Sequence, residues 1–463
     1  AALDSSYQEI RQNRRAIGLL AIALPLATTL VVGYVAHLVV PNLPLGAAFV
    51  LGAIVAPPDA VSAQAIGRRV GLPRRIMTLL GGESLLNDAT ALTAYRVALA
   101  AAVGATTTVW SGLSTFAVAA VGGVVIGMIV GYVIAWARNR LDDPPMETAI
   151  GLLVPFATYF VAEEVHASGV IAVVVAGLFL GQRSVRLGYA TRMQDEAVRK
   201  SFDALLESFV FLLIGLQLPY LIRGLAGESW VEIAIDSAVV LLVVIAVRFA
   251  WIYPATYLPR LLSPKIRARE QFPKPSWVFI VGWAGMRGVV SLAAAFAIPL
   301  TTDSGAPFPA RPEILFLTFV VVVGTLLIQG TTLPWMIKVL NVSGDDAGAD
   351  RLALAAAQDR ASRESERVLD EIAAAMPQED PRQFQVVLLR KWVNTQRNIV
   401  WEELGRGPES IGESPTAAGT RIRLKIVQVQ RKVFIAERDA GHIDDEVLRT
   451  ALRRLDFIEG SAD

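Results

Sequence analysis

Segment 76–103 is long enough to span a bilayer as a helix, yet it carries Glu83, Ser84, Asn87 and Asp88 at its middle. The apolar run before it, residues 45–66, is interrupted by Pro57-Pro58-Asp59. A carboxylate at bilayer depth costs at least about 2.5–3.5 kcal/mol on insertion scales. Three carboxylates so close in sequence therefore need a functional reason, and the commonest is a path for ions or protons.

The rest of the chain supports a membrane reading. Of its 463 residues, 54% are hydrophobic and only 18% charged, with a mean hydropathy of +0.48. A soluble domain carries roughly 25% charged residues. The net charge of +1 gives no field directed at nucleic acid. The absence of cysteine excludes disulfides, thiolate metal sites and cysteine nucleophiles. His37, His166 and His442 are too scattered along the chain to suggest a histidine metal cluster. No nucleotide-binding motif of the Walker type occurs, so no resident cofactor is expected and an ion gradient is the expected driving force. The chain opens on Ala1 with no signal-peptide pattern ahead of its first apolar run, and its start reads as a truncation.

Apolar stretches of about 20 residues mark membrane spans. Ten are found, at 16–40, 45–66, 76–103, 111–137, 146–165, 168–182, 201–222, 231–253, 276–299 and 313–339. Loop charge tests the count. Alternate loops, at 11–15, 68–75, 138–140, 183–200 and 260–274, hold 19 Lys and Arg, whereas the intervening loops hold only Arg223 and Arg311. Basic residues accumulate on the cytoplasmic side, so both ends are placed there. Segment 184–200 is amphipathic and reads as a cytoplasmic surface helix between two spans. The expected division is a transmembrane domain over 1–342 and a cytoplasmic helical tail over 343–463. Gly405, Gly407, Gly412 and Pro415 mark a loop within the tail.

Positions four apart share a helix face, so Ser84 and Asp88 line one stripe and Glu83 and Asn87 the next. Ser84 and Asn87 could equally serve as hydrogen-bonding glue between helices, but a lone buried Asp88 is poor glue. Asp59 follows two prolines, which remove donors and unwind the helix. The freed carbonyls beside a carboxylate suit a hard monovalent cation, although Asp59 could also simply cap the second half-helix. Arg248 lies deep in its span and needs an acidic partner, for which Glu83 is the natural choice. Arg287, in Gly282-Trp-Ala-Gly-Met-Arg-Gly288, marks a second break and is placed to neutralise half-helix carbonyl ends. Among the weaker candidates, Asp203, Glu207, Gln217 and Asp236 read as interfacial or near helix ends. Glu163, Glu164 and His166 read as solvated, with Arg96 snorkelling or pairing outside. Two broken helices are the pattern of inverted-repeat transporters, whose substrate sites lie where the breaks cross.

These segments resemble the monovalent cation:proton antiporters of the sodium/proton exchanger superfamily, and more closely the bacterial members of the cation:proton antiporter-1 family. The resemblance rests on Ala56-Pro-Pro-Asp-Ala-Val61, Gly82-Glu-Ser-Leu-Leu-Asn-Asp-Ala-Thr-Ala91, Phe211-Leu-Leu-Ile-Gly-Leu216 and Gly285-Met-Arg-Gly-Val-Val-Ser291, and extends over residues 1–340. It implies an all-α membrane fold with an inverted-repeat core and two broken crossing helices, here lacking the three helices that open the family's pattern. It further implies exchange of Na⁺, K⁺ or Li⁺ for H⁺ across the plasma membrane, in pH and cation homeostasis. Asp88 would bind the cation or proton, supported by Asp59, Ser84 and Asn87, while Glu83 and Arg248 form a structural ion pair. The pair Asn87-Asp88, rather than two aspartates, implies electroneutral exchange. A homodimer in the lipid bilayer and a regulatory ligand or protein at the tail are the implied partners. A cation channel or a proton-coupled solute transporter is the rival reading, although no filter loop is visible.

Overall fold

The computed structural model describes residues 7–460 apart from 42, 104–108, 142, 185–186, 226–228, 271, 343–346, 378–379 and 406–414. The first residues of the expected tail and the loop glycines Gly407 and Gly412 lie outside the described residues. The described chain is helical throughout, and its β-structure is limited to two isolated bridges. It divides into two compact units, Ala1–Gly344 and Asp345–Asp463.

In the first unit, a short helix at Tyr7–Gln12 leads into α1 (Arg14–Val39), which contains a π-helical turn at Leu19–Ala23. The chain continues through α2 (Leu45–Ile54), α3 (Ala60–Val70), α4 (Arg74–Val103), α5 (Val109–Arg138), α6 (Pro144–Glu164) and α7 (Gly169–Arg183). Then follow α8 (Tyr189–Gly224), α9 (Trp230–Leu262), α10 (Pro275–Trp283), α11 (Val289–Phe296) and α12 (Arg311–Val339), the last with a second π-helical turn at Leu326–Gly330. Among the described residues, six helices are long and apolar enough to cross a membrane: α1, Ala117–Arg138 of α5, α6, α8, α9 and α12.

Two features depart from the sequence reading. The surface helix expected over 184–200 and the span expected over 201–222 are one helix, α8. No proline or glycine separates them: between Tyr189 and Gly215 the sequence is free of both, so nothing stops the helix. Helix α9 likewise runs past 253 to Leu262 through Pro254 and Pro259. Apolar helices accept internal proline when neighbouring groups satisfy the freed carbonyls. In the same stretch the Arg260 side chain donates to the Thr256 carbonyl.

The core is stacked in two apolar clusters. One gathers Val32 and Ala36 of α1, most of α2, Tyr95 and Ala98 of α4, Val240 and Val244 of α9, and Ile314 to Val321 of α12. The other gathers Leu20 and Leu24 of α1, Ile76 and Leu80 of α4, Ile252 of α9, Val278 to Val281 of α10, and Leu333 and Ile337 of α12. Four helices thus contribute to both clusters. The stretch between their two contributions holds Thr28 and Thr29 on α1, Glu83 to Asp88 on α4, Arg248 on α9 and Thr325 on α12. The buried polar residues therefore form a middle layer between two apolar ones, as a site at bilayer depth requires.

The second unit contains α13 (Ala347–Ala374), α14 (Gln383–Gly405), α15 (Pro415–Asp439) and α16 (Asp445–Gly460). α13 packs on α14, and α15 on α16.

Candidate ion site at the crossing of two broken helices

The helix that begins as α2 ends at Ile54, and the chain is unwound through Pro58 before α3 starts. The α10–α11 helix is interrupted in the same way over 284–288. The two breaks meet. Pro58 and Arg287 form an antiparallel bridge, and the Asp59 N–H donates to the Met286 carbonyl at 2.6 Å. Each break thus satisfies part of the other's exposed backbone, which is how unwound chain survives away from water.

Asp59 caps α3. Its carboxylate accepts from the Val61 N–H at 2.9 Å and from the Ser62 hydroxyl at 2.6 Å. Asn87, fully buried, reaches across from α4. Its amide donates to the Pro58 carbonyl at 3.1 Å and its side-chain oxygen accepts from the Asp88 N–H at 2.7 Å. The donor–acceptor pattern fixes the orientation of this amide.

Glu83 and Arg248 are each 1% exposed. Arg248 Nη1 donates to Glu83 Oε1 at 2.5 Å and Nη2 to Oε2 at 2.9 Å, a two-pronged pair joining α9 to α4. The same guanidinium donates to the Val281 carbonyl from Nη2 at 3.0 Å and from Nε at 3.3 Å. Arg248 therefore caps the carbonyl end of α10 as well as balancing Glu83. Gly285 makes room for it, because a Cβ there would stand 2.5 Å from Arg248 Nε.

Arg287 was expected to neutralise half-helix carbonyl ends. It is 1% exposed, but neither its Nε nor its Nη1 reaches a hydrogen-bond acceptor. The exposed carbonyl at this break is taken by Arg248 instead. The Arg287 backbone N–H is held by the Thr325 hydroxyl at 2.9 Å, beside the second π-helical turn. Sequence reasoning missed Thr325, Ser62 and the Val281 carbonyl. Only Ser62 left a trace, as the third residue after a helix-capping aspartate.

Asp88 is half-buried on α4, one turn beyond Ser84, and close enough to Asp59 for their charges to interact. Among the described residues, no protein donor reaches its carboxylate. Of the three acidic groups at the crossing, Glu83 is held by an arginine and Asp59 by a helix start, while Asp88 is left without a protein partner. Gly288 faces Asp59, and a Cβ added there would sit 2.6 Å from Asp59 Cβ and 2.8 Å from its Cγ.

The outlying candidates are not drawn into this site. Glu163, expected to be solvated, lies at the end of α6, where it accepts from Arg96 Nη2 at 2.7 Å and from the Gly169 N–H at 3.2 Å. Asp203 is exposed on α8, Asp236 is buried near the start of α9, and the Glu207 side chain lies outside the described residues.

A chain with a free carboxylate at the crossing of two broken helices can be compared with known transporters. Residues 1–339 match the family model of the transmembrane sodium/hydrogen exchanger. This chain belongs to the sodium/hydrogen exchanger family. The exchanger is 34% identical to an uncharacterised Na⁺/H⁺ exchanger of Mycobacterium tuberculosis, over 99% of this chain and 84% of that one. It is 33% identical to a sodium, potassium, lithium and rubidium/H⁺ antiporter of Bacillus pumilus, over 70% of this chain and 50% of that one. Its fold is similar to that of the sodium proton antiporter MjNhaP1 from Methanocaldococcus jannaschii, with a TM-score of 0.58 and 19% identity over 73% of this chain and 82% of that one. The family is one of multi-pass membrane transporters, and this exchanger is a cation:proton antiporter by membership.

Proposed function

We propose that the exchanger moves Na⁺, K⁺ or Li⁺ against H⁺, one for one, at a single alternating carboxylate, Asp88. The observation that supports this reading is the difference among the three acids at the crossing. Glu83 and Asp59 are already bonded, and only Asp88 offers an unengaged carboxylate. A proton neutralises it at low pH, and a cation can replace the proton at higher pH. Ser84 on the same stripe and Asp59 across the crossing supply further oxygens for the cation. The empty, charged carboxylate would be costly to carry through an apolar layer, so reorientation requires one cargo or the other. That makes the exchange obligatory.

Ten crossings, with both ends in the cytoplasm, agree with the distribution of loop charge. In this reading residues 1–342 form the antiporter domain of a homodimer in the plasma membrane. Residues 343–463 form a cytoplasmic tail open to a regulatory ligand or protein, and the role is pH and cation homeostasis. The mixed-cation name of the Bacillus relative favours a broad cation range.

Competition for one group has a measurable signature. In vesicles with an imposed pH gradient, addition of Na⁺, K⁺ or Li⁺ should dissipate the gradient, and the concentration needed for half the effect should rise as pH falls. A half-effect concentration independent of pH would show that cation and proton do not share a group.

The tight fit at Gly288 gives a second expected outcome. Gly288→Ala should displace the Asp59 cap and lower the exchange rate, with the protein still inserted in the membrane. Wild-type exchange by this variant would mean that the packing of the second break on Asp59 is not needed for transport.

A further inference from the structure

The tail helix α15 carries apolar residues on both of its sides, and only one side is used. Val427 is buried against the hairpin formed with α16, where Leu448 and Leu455 are also buried. On the same side Arg431 donates to Asp456 at 2.6 Å and to Glu459 at 2.7 Å. The other side presents Ile422, Ile426, Val429 and Val433, each between 52 and 58% exposed. Single exposed apolar residues are ordinary, but an aligned row of four is not.

The spacing of that row is four, three, four, with Ala436 three further on. This is the 3.5-residue repeat of a coiled-coil seam. Ile426 and Val433 take the a positions; Ile422, Val429 and Ala436 take the d positions. The flanking charges follow from the register. Lys425 and Lys432 fall at g, and Gln430 and Glu437 at e. In a parallel pair each g residue faces the e residue five positions on in the other helix, so Lys432 meets Glu437 and Lys425 meets Gln430. An antiparallel pair would instead set the lysines against each other. Glu437 is half-exposed, and only its Oε2 is engaged, by His442 at 2.8 Å.

We infer that this face of α15 is a self-association surface, which pairs in parallel with α15 of a second copy of the chain. A basic amphipathic helix could also lie on an anionic membrane, but such helices carry Trp, Phe or Leu on the buried face. The row here is entirely β-branched, the residue class that packs as knobs into a coiled-coil seam. In isolated coiled coils β-branched residues at both a and d shift the preference beyond two strands, so a two-stranded seam here depends on the rest of the protein holding two copies together. The inference stands apart from the transport assignment, because it uses only residues of the second unit.

The chain contains no cysteine, so each substitution introduces a unique thiol. Full-length Ile426→Cys, Val429→Cys and Gln428→Cys variants in lipid vesicles would be oxidised with copper phenanthroline and run on a non-reducing gel. Covalent dimer is expected for the variants at 426 and 429, and several-fold less for 428, which points away from the seam. Adding Lys432→Glu to Ile426→Cys should reduce the dimer, and adding Glu437→Lys as well should restore it. Absence of dimer at 426 and 429, or equal yields at all three positions, would overturn the inference. So would an internally cross-linked monomer from Leu388→Cys/Ile426→Cys, because the exposed Phe384, Leu388 and Trp392 face of α14 is the rival occupant within the chain.

Discussion

Asp88→Asn is expected to abolish cation-dependent proton movement while leaving insertion and folding intact. The substitution keeps the shape of the side chain and removes the charge that both cargoes need. Among the described residues no protein donor is bonded to the Asp88 carboxylate, so no hydrogen bond to them is lost with it. The backbone N–H of residue 88, which holds the Asn87 amide at 2.7 Å, is untouched. The variant should therefore match the wild type in thermal stability and be silent in a vesicle assay with a pH-sensitive dye. Loss of transport together with loss of fold would point instead to a structural role.

The reverse pattern is expected at Glu83. Glu83→Ala leaves Arg248 with its charge unbalanced in a site 1% exposed. Removing one partner of a buried pair costs about 3–5 kcal/mol. Arg248 also caps the Val281 carbonyl, and this contact persists in Glu83→Ala but not in Arg248→Ala. The two single variants should thus differ, with Arg248→Ala further loosening the end of α10. The double variant should be more stable than the sum of the two losses predicts, because it removes both members of the pair and strands neither. Thermal unfolding in detergent of all four proteins gives the coupling energy directly. Strictly additive losses would show that the pair contributes nothing as a pair.

The site was legible in sequence where polar residues interrupt apolar ones. Glu83, Asn87 and Asp88 stand out because most of 76–103 is apolar. The breaks stand out because proline and glycine cannot sustain a helix there. What the sequence could not show was how each group is satisfied. The pairing of Asp59 with Val61 and Ser62 is local and follows from helix-start chemistry. The Asn87 bond to Pro58 depends on how α4 crosses the first break, and the Thr325 bond to Arg287 on how α12 packs beside the second. The two arginines illustrate the limit most clearly. Both read as buried cations in need of an acceptor, yet Arg248 takes both Glu83 and a carbonyl, whereas two of the Arg287 nitrogens take none. Helix boundaries failed for a different reason. The amphipathic pattern of 184–200 suggested a separate surface helix, but an amphipathic stretch does not stop a helix, and α8 continues from Tyr189 to Gly224.

The central claim is that one carboxylate carries one cargo in each direction. Its most direct test is the simultaneous measurement of radioactive sodium uptake and proton release in the same vesicles, with the membrane potential clamped at several values. The account predicts one proton released per sodium taken up, at a rate independent of voltage, and neither flux in Asp88→Asn. A rate that tracks voltage, or a ratio of two protons to one sodium, would contradict it and would assign a second exchanging proton to Asp59.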